Sequence, residues 1–100
     1  MKLFYKKLDW LIEQISKDRP TNIEINTESH DSGTDHIVTE HYASFTANYE
    51  NRTSITAWKK YGGTLSKPEE MNIELEKDIK RLQEFKINVV KKQDFQDESN

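Results

Sequence analysis

The segment ESHDSGTDH, from Glu28 to His36, collects His30 and His36 with Glu28, Asp31 and Asp35. Imidazole and carboxylate are the side chains that bind divalent cations. Dedicated metal sites hold their ligands on rigid elements or at a fixed spacing. Here Gly33 and its Asp, Ser and Thr neighbours instead spell a solvated connection. No metal is expected. The third histidine, His41, lies in HIVTEHYASFTANY, from His36 to Tyr49, a stretch rich in β-branched and aromatic residues. A catalytic base needs a nucleophile or a substrate cavity beside it, and the pattern supplies neither. His41 is therefore expected to be buried and hydrogen-bonded for structural reasons. The chain has no phosphate-cradling glycine loop, no nucleophile elbow, no HExxH helix and no cysteine. No catalytic residue and no cofactor is assigned, and the expected protein is not an enzyme.

A second kind of chemistry, recognition, follows from strand parity. In a strand starting near His36, the odd residues Ile37, Thr39, His41, Ala43, Phe45 and Ala47 are the more apolar set and should face a core. Tyr42 then faces out. A following strand, about Thr53 to Tyr61, can pair through a two-residue turn or through the three-residue loop Glu50-Asn51-Arg52. The three-residue loop sets Phe45 opposite Ala57 and Ala47 opposite Ile55, which buries the apolar face of both strands. A one-residue slip would invert every side chain, so this register is preferred. It needs a left-handed residue near Asn51 or Arg52, for which asparagine is best suited. The same register puts Lys60 beside Tyr42 and Trp58 beside Ser44, all outward. Tyr42 and Trp58, with Lys60, Glu40 and Thr56 around them and Glu24 and Asn26 beyond, have the make-up of a protein-binding patch. Two other readings remain open. The aromatics could simply pack across the sheet, or the C-terminal segment could fold over them.

The remaining elements must position that face. Phe4, Leu8, Leu11, Ile12 and Ile15 form one stripe, predicting a helix from about Leu3 to Lys17 that Arg19-Pro20 ends. Leu3 and Trp10 fall off that stripe, either wedged against the second helix or forming a secondary contact surface. Asn22 to Thr27 reads as a strand, with Ile23 and Ile25 inward. Ser66 and Glu69 predict a capping box, and Pro68 suits a first helical turn. Met71, Leu75, Ile79, Leu82 and Phe85 then make a second helical stripe. Ile87 to Lys91 suits a short fourth strand, although Val89 would also continue the helix. The expected fold is two-layer α+β, a three-stranded antiparallel meander with an N-terminal and a C-terminal helix on one face. The order is α-β-β-β-α. Residues 1–93 would form one domain, and 94–100 a frayed tail.

Composition narrows the setting. Hydrophobic and charged residues each make up 33% of the 100 residues, lean for a globular chain, yet the apolar positions are periodic enough to fold. The start MKLFYKKLDWLIEQI is basic, but Asp9 and Glu13 interrupt its apolar run and no small-residue cleavage site follows. No segment approaches the ~18 apolar residues of a membrane span. With no cysteine, a reducing compartment is expected and the cytoplasm is the default. The net charge of −3 offers no basic footprint for a nucleic acid.

The α-β-β-β-α order resembles that of the double-stranded-RNA-binding domain, which also has a histidine-containing loop between its first two strands. His30 falls in that loop, and GGTLSK, with Ser66 and Lys67, echoes the family's glycine-and-lysine approach to the second helix. The resemblance implies RNA contacts through helix one, the His30 loop and Lys67. Where the family presents further lysines, this chain has Pro68, Glu69 and Glu70, anions that suit a helix N-terminus and repel phosphate. The order is also similar to that of some small acidic phage-encoded inhibitors of CRISPR nucleases, which act by occupying a nucleic-acid-binding surface. The expectation drawn is a small cytoplasmic protein-binding domain, an adaptor, inhibitor or immunity-type factor that phage or mobile elements could encode. The alternatives are a double-stranded-RNA-binding-like module and a sheet-to-sheet homodimer.

Overall fold

A computed structural model describes residues 6–32 and 38–96. The chain is α+β. In order it forms β1 (Lys6–Lys7), α1 (Leu8–Lys17), β2 (Asn22–Ser32), β3 (Val38–Asn48), β4 (Ser54–Gly62), α2 (Pro68–Gln83) and β5 (Asn88–Lys91). The sheet has five strands in the order β1-β4-β3-β2-β5. Its centre is the expected antiparallel meander of β2, β3 and β4, and each edge adds a short parallel strand.

The expectation of three strands, or four, is thereby corrected, and the edges explain the helices. Parallel neighbours cannot be joined by a hairpin and need a crossover, usually helical. The connections β1-α1-β2 and β4-α2-β5 each join parallel strands and step the same way across the sheet. With one crossover hand, both helices land on the same face. There Leu8, Leu11 and Ile15 of α1 and Met71, Leu75, Ile79 and Leu82 of α2 share a single core with Ile23, Ile25, Ala43, Phe45, Ala47 and Ala57.

The register of the central hairpin is the expected one: Phe45 faces Ala57, Ala47 faces Ile55, Ser44 faces Trp58 and Tyr42 faces Lys60. Tyr49 N–H donates to the Thr53 carbonyl at 2.9 Å, closing the three-residue loop. The left-handed residue is Arg52, with φ 70°, and not Asn51. Asn51 serves the loop differently, its Oδ1 accepting from Thr53 N–H at 3.2 Å and from the Thr53 hydroxyl at 2.6 Å.

Other expectations change. Lys6 and Lys7 are extended and pair with Ala57 and Trp58, so the first helix begins at Leu8, while Leu3 and Phe4 lie outside the described residues. Glu28 to Ser32, expected in a connection, extends β2 against Val38 to Tyr42. Polar residues are tolerated there because the ladder satisfies their backbone and the side chains reach water or one another; the Thr39 hydroxyl, for example, donates to Asp31 Oδ1 at 2.9 Å. The capping box does not form. Lys67 is the N-cap of α2 and makes no side-chain cap, because the Ser66 hydroxyl instead accepts from Gly63 N–H at 2.8 Å. Pro68 does open the helix. Ile87 to Lys91 resolves as a strand from Asn88, with Lys86 at φ 59° turning the chain out of α2. The described part of the tail, Asp94 to Gln96, is not frayed: Phe95 is 5% exposed and belongs to the core.

Candidate protein-binding surface

The even-numbered residues of β2, β3 and β4 point away from the helices, and no described element covers that face. Polar rows run across it, the outermost of Ser54, Asn48, Asn22 and Asn88. Thr56, Thr46, Glu24 and Val90 form one; Lys7, Trp58, Ser44 and Asn26 the next. Lys60, Tyr42 and Glu28 follow, then Glu40 beside His30. The five residues singled out from sequence, Tyr42, Trp58, Lys60, Glu40 and Thr56, thus share one surface.

Side chains knit that surface together. Lys60 Nζ donates to Glu40 Oε2 at 2.9 Å, and this hydrogen bond, with the lysine charge, holds the Glu40 carboxyl below the usual range. The Thr46 and Thr56 hydroxyls are 3.0 Å apart. Asn48 Nδ2 reaches both Asn22 Oδ1 and Glu24 Oε1 at 2.8 Å. That bond and Lys92, 3.3 Å away, keep the Glu24 carboxyl low as well. His30 Nε2 lies 3.1 Å from Glu28 Oε2, and its ring meets Tyr42 edge-on at 5.9 Å. Tyr42 and Trp58 are half-buried, whereas Ser44, directly opposite Trp58, is only 8% exposed. The aromatic bodies lie against the sheet, and the Tyr42 side chain hydrogen-bonds Glu40.

Charge on this face is balanced. Glu24, Glu28 and Glu40 alternate with Lys7, Lys60 and Lys92. Such a mixture creates no field that would gather a polyanion. The RNA-contacting positions implied by the resemblance lie on separate elements. His30 sits on β2 engaged with Glu28 and Tyr42, and Lys67 stands at the start of α2 ahead of Glu69 and Glu70. Of the secondary surface, Leu3 lies outside the described residues. Trp10 is half-buried, packed against the core, with Lys6 Nζ 5.2 Å from its ring centroid.

On the opposite face His41 is buried, its Nδ1 2.7 Å from the Ser29 hydroxyl. Among the described residues no group of three or more metal-ligating side chains assembles. A polar cluster that no sequence motif announces lies there as well. The buried Asp78 Oδ2 accepts from Lys59 Nζ at 2.7 Å and from the Tyr61 hydroxyl at 2.5 Å, while Oδ1 accepts from Arg81 at 3.1 Å. Burial pushes the Asp78 carboxyl up, but the Lys59 and Tyr61 hydrogen bonds and the nearby cations outweigh it and hold it low. Burial, then Asp78 itself, pushes the Tyr61 phenol up, so it stays protonated as a donor. Arg81 continues to Asp9 at 3.3 Å, linking the two helices. A signal for this existed in sequence: Asp78 interrupts the α2 stripe, and Lys59 has the inward parity of Ala57 and Tyr61.

No described helix is long and apolar enough to cross a membrane. No protein-family model matches the chain, and neither a curated protein nor a solved structure matches it.

Proposed function

We propose that this chain is a small, non-enzymatic protein-binding domain, an adaptor, inhibitor or immunity-type factor, that engages another protein through the open face of its sheet. The observation that carries this reading is the adjacency of Tyr42 and Trp58 on a face that no described helix covers. A surface of mixed charge with two half-buried aromatics and a polar rim matches the anatomy of a protein interface, where such aromatics dominate binding energy. The glutamates are partnered within the face, Glu24 by Lys92, Glu28 by His30 and Glu40 by Lys60, so another protein can cover them without stranding these anions. The setting in this reading is the cytoplasm, in keeping with a chain that has no cysteine.

The test is affinity purification from the native cell with the wild-type chain and with Tyr42→Ala/Trp58→Ala. The double variant should lose the co-purifying partner while its circular-dichroism spectrum and melting point stay close to wild type. Loss of folding would instead assign these residues to stability. A sheet-to-sheet homodimer would use the same aromatics, and light scattering at twice 11.8 kDa would mark it.

A further inference from the structure

β2 is 11 residues long, yet only Asn22 to Ile25 have a strand on their outer side. That strand is β5, and the last rung is Lys92 N–H to the Ile25 carbonyl at 2.9 Å. The chain then leaves the sheet edge. Phe95 turns into a core notch against His41 and Tyr61, and Asn72 of α2 holds its backbone by two hydrogen bonds. Gln93 Nε2 still reaches towards the Thr27 carbonyl at 3.4 Å; beyond that point no described strand lies along β2. Backbone groups alternate sides along a strand. Since the Ile25 carbonyl points to the outer edge, so do the N–H and C=O of Ser29 and Asp31. Ser29, His30 and Asp31 are exposed. The other margin of this hairpin is closed, with Thr39 N–H donating to the Thr64 hydroxyl at 2.9 Å.

A strand edge with unpaired backbone groups is a template for another strand. The bare lane runs from Glu28 to Ser32 and is centred on His30, so its own antiparallel image fills it end to end. Ser29 and Asp31 each then face the other residue in the second copy, giving four backbone hydrogen bonds. His30 faces its own copy in the closer, non-hydrogen-bonded kind of pair. A shift of two residues one way drives Asp31 of the second copy against Thr27, where Lys92 and Gln93 already sit. A shift the other way sets Asp31 opposite Asp31, and like charges there repel. In the centred register each imidazole keeps a carboxylate beside it, His30 Nε2 lying 3.1 Å from Glu28 Oε2. We propose that the Glu28–Ser32 edge is a dimerisation strand, pairing antiparallel with the same segment of a second copy, His30 opposite His30, to join two sheets through their β2 strands. The contact is smaller than a standard interface, so monomer prevails at micromolar concentration and dimer accumulates towards ~1 mM. It extends the sheet instead of covering its face and does not depend on the role of Tyr42 and Trp58.

Sedimentation equilibrium from ~10 µM to ~1 mM should show the mass rising from 11.8 kDa towards twice that value. Asp31→Pro removes an N–H that the ladder within one chain does not use, so this variant should fold and stay monomeric throughout. The register is read by cross-linking, since the chain has no cysteine. Under mild oxidation His30→Cys, facing itself at disulfide distance, should become a covalent dimer about tenfold faster or more than Glu28→Cys, whose counterparts lie out of step. An unchanged monomer mass at ~1 mM overturns the proposal, as does equal cross-linking of the two cysteine variants. So does a folded Asp31→Pro that still dimerises. The cysteine pair decides the case even where Asp31→Pro fails to fold.

Discussion

Asp78 is the only charged residue buried among the described residues, and its three donors explain how a carboxylate can stay there. Removing it should strand the Tyr61 hydroxyl and part of the Lys59 charge, though half-exposed Lys59 can turn to water. Asp78→Ala is therefore expected to cost about 2–3 kcal/mol, below the cost of a fully buried pair, read from the urea midpoint at unchanged slope. The pH dependence has a definite sign. The folded Asp78 carboxyl is held low, so its contribution is complete above the unfolded value near ~4 and fades as pH falls through the folded one. Between pH 5 and pH 2 the melting point of wild type should drop further than that of Asp78→Asn; parallel curves would remove Asp78 from the account. Gly62 shows a steric counterpart. A Cβ there would collide with the Ser66 side chain and come within 2.6 Å of Met71 Sδ, so any larger residue forces the turn into α2 to shift. Gly62→Ala should cost roughly 1–3 kcal/mol in the same assay.

Two elements carry local choices that a better sequence would avoid, and both can be improved. Arg52 closes the β3–β4 hairpin at φ 70°, a left-handed conformation that a side chain with a Cβ adopts at a penalty. Arg52→Gly should raise stability by about 1 kcal/mol, offset slightly by unfolded-state entropy, and a lower melting point would show that the arginine side chain has a compensating contact. At the start of α2, Lys67 is the N-cap without a side-chain acceptor, leaving backbone donors of the first turn to water. Lys67→Asp places an acceptor and a favourable charge there and should add about 1 kcal/mol, seen as a rise of several degrees in melting point. The hairpin register itself was readable from Phe45, Ala47, Ile55 and Ala57 because only one pairing buries all four. The capping box failed because Ser66 has a better use, bonding Gly63 N–H within its own turn, which no residue spacing discloses.

At the scale of the whole molecule, the sheet divides the chain into two chemically distinct sides. One holds both helices, the Asp78 cluster and the Phe95 notch; the other is a polar lattice with two aromatics in it. If the lattice is an interface for a different protein, the isolated chain should scatter as a monomer of 11.8 kDa at micromolar concentration. A doubled mass that reverts with Trp58→Ala would transfer the face to self-association. The short parallel edges β1 and β5 also limit open strand pairing, since long unprotected edges invite aggregation.

Periodicity and parity, which are local, sufficed for the two helical stripes, the three central strands, their register and the outward direction of Tyr42 and Trp58. Each follows from a residue's distance along its own element and from the rule that apolar faces are buried. Tertiary packing alone decided the rest. Two lysines became a strand because Ala57 and Trp58 offered an edge, and ESHDS became one because β3 lay beside it. Asp78 found its donors on β4, and Phe95 its notch between β3, β4 and α2, through contacts between residues far apart in the chain. Those partners are chosen by the three-dimensional neighbourhood, and a linear pattern does not contain it.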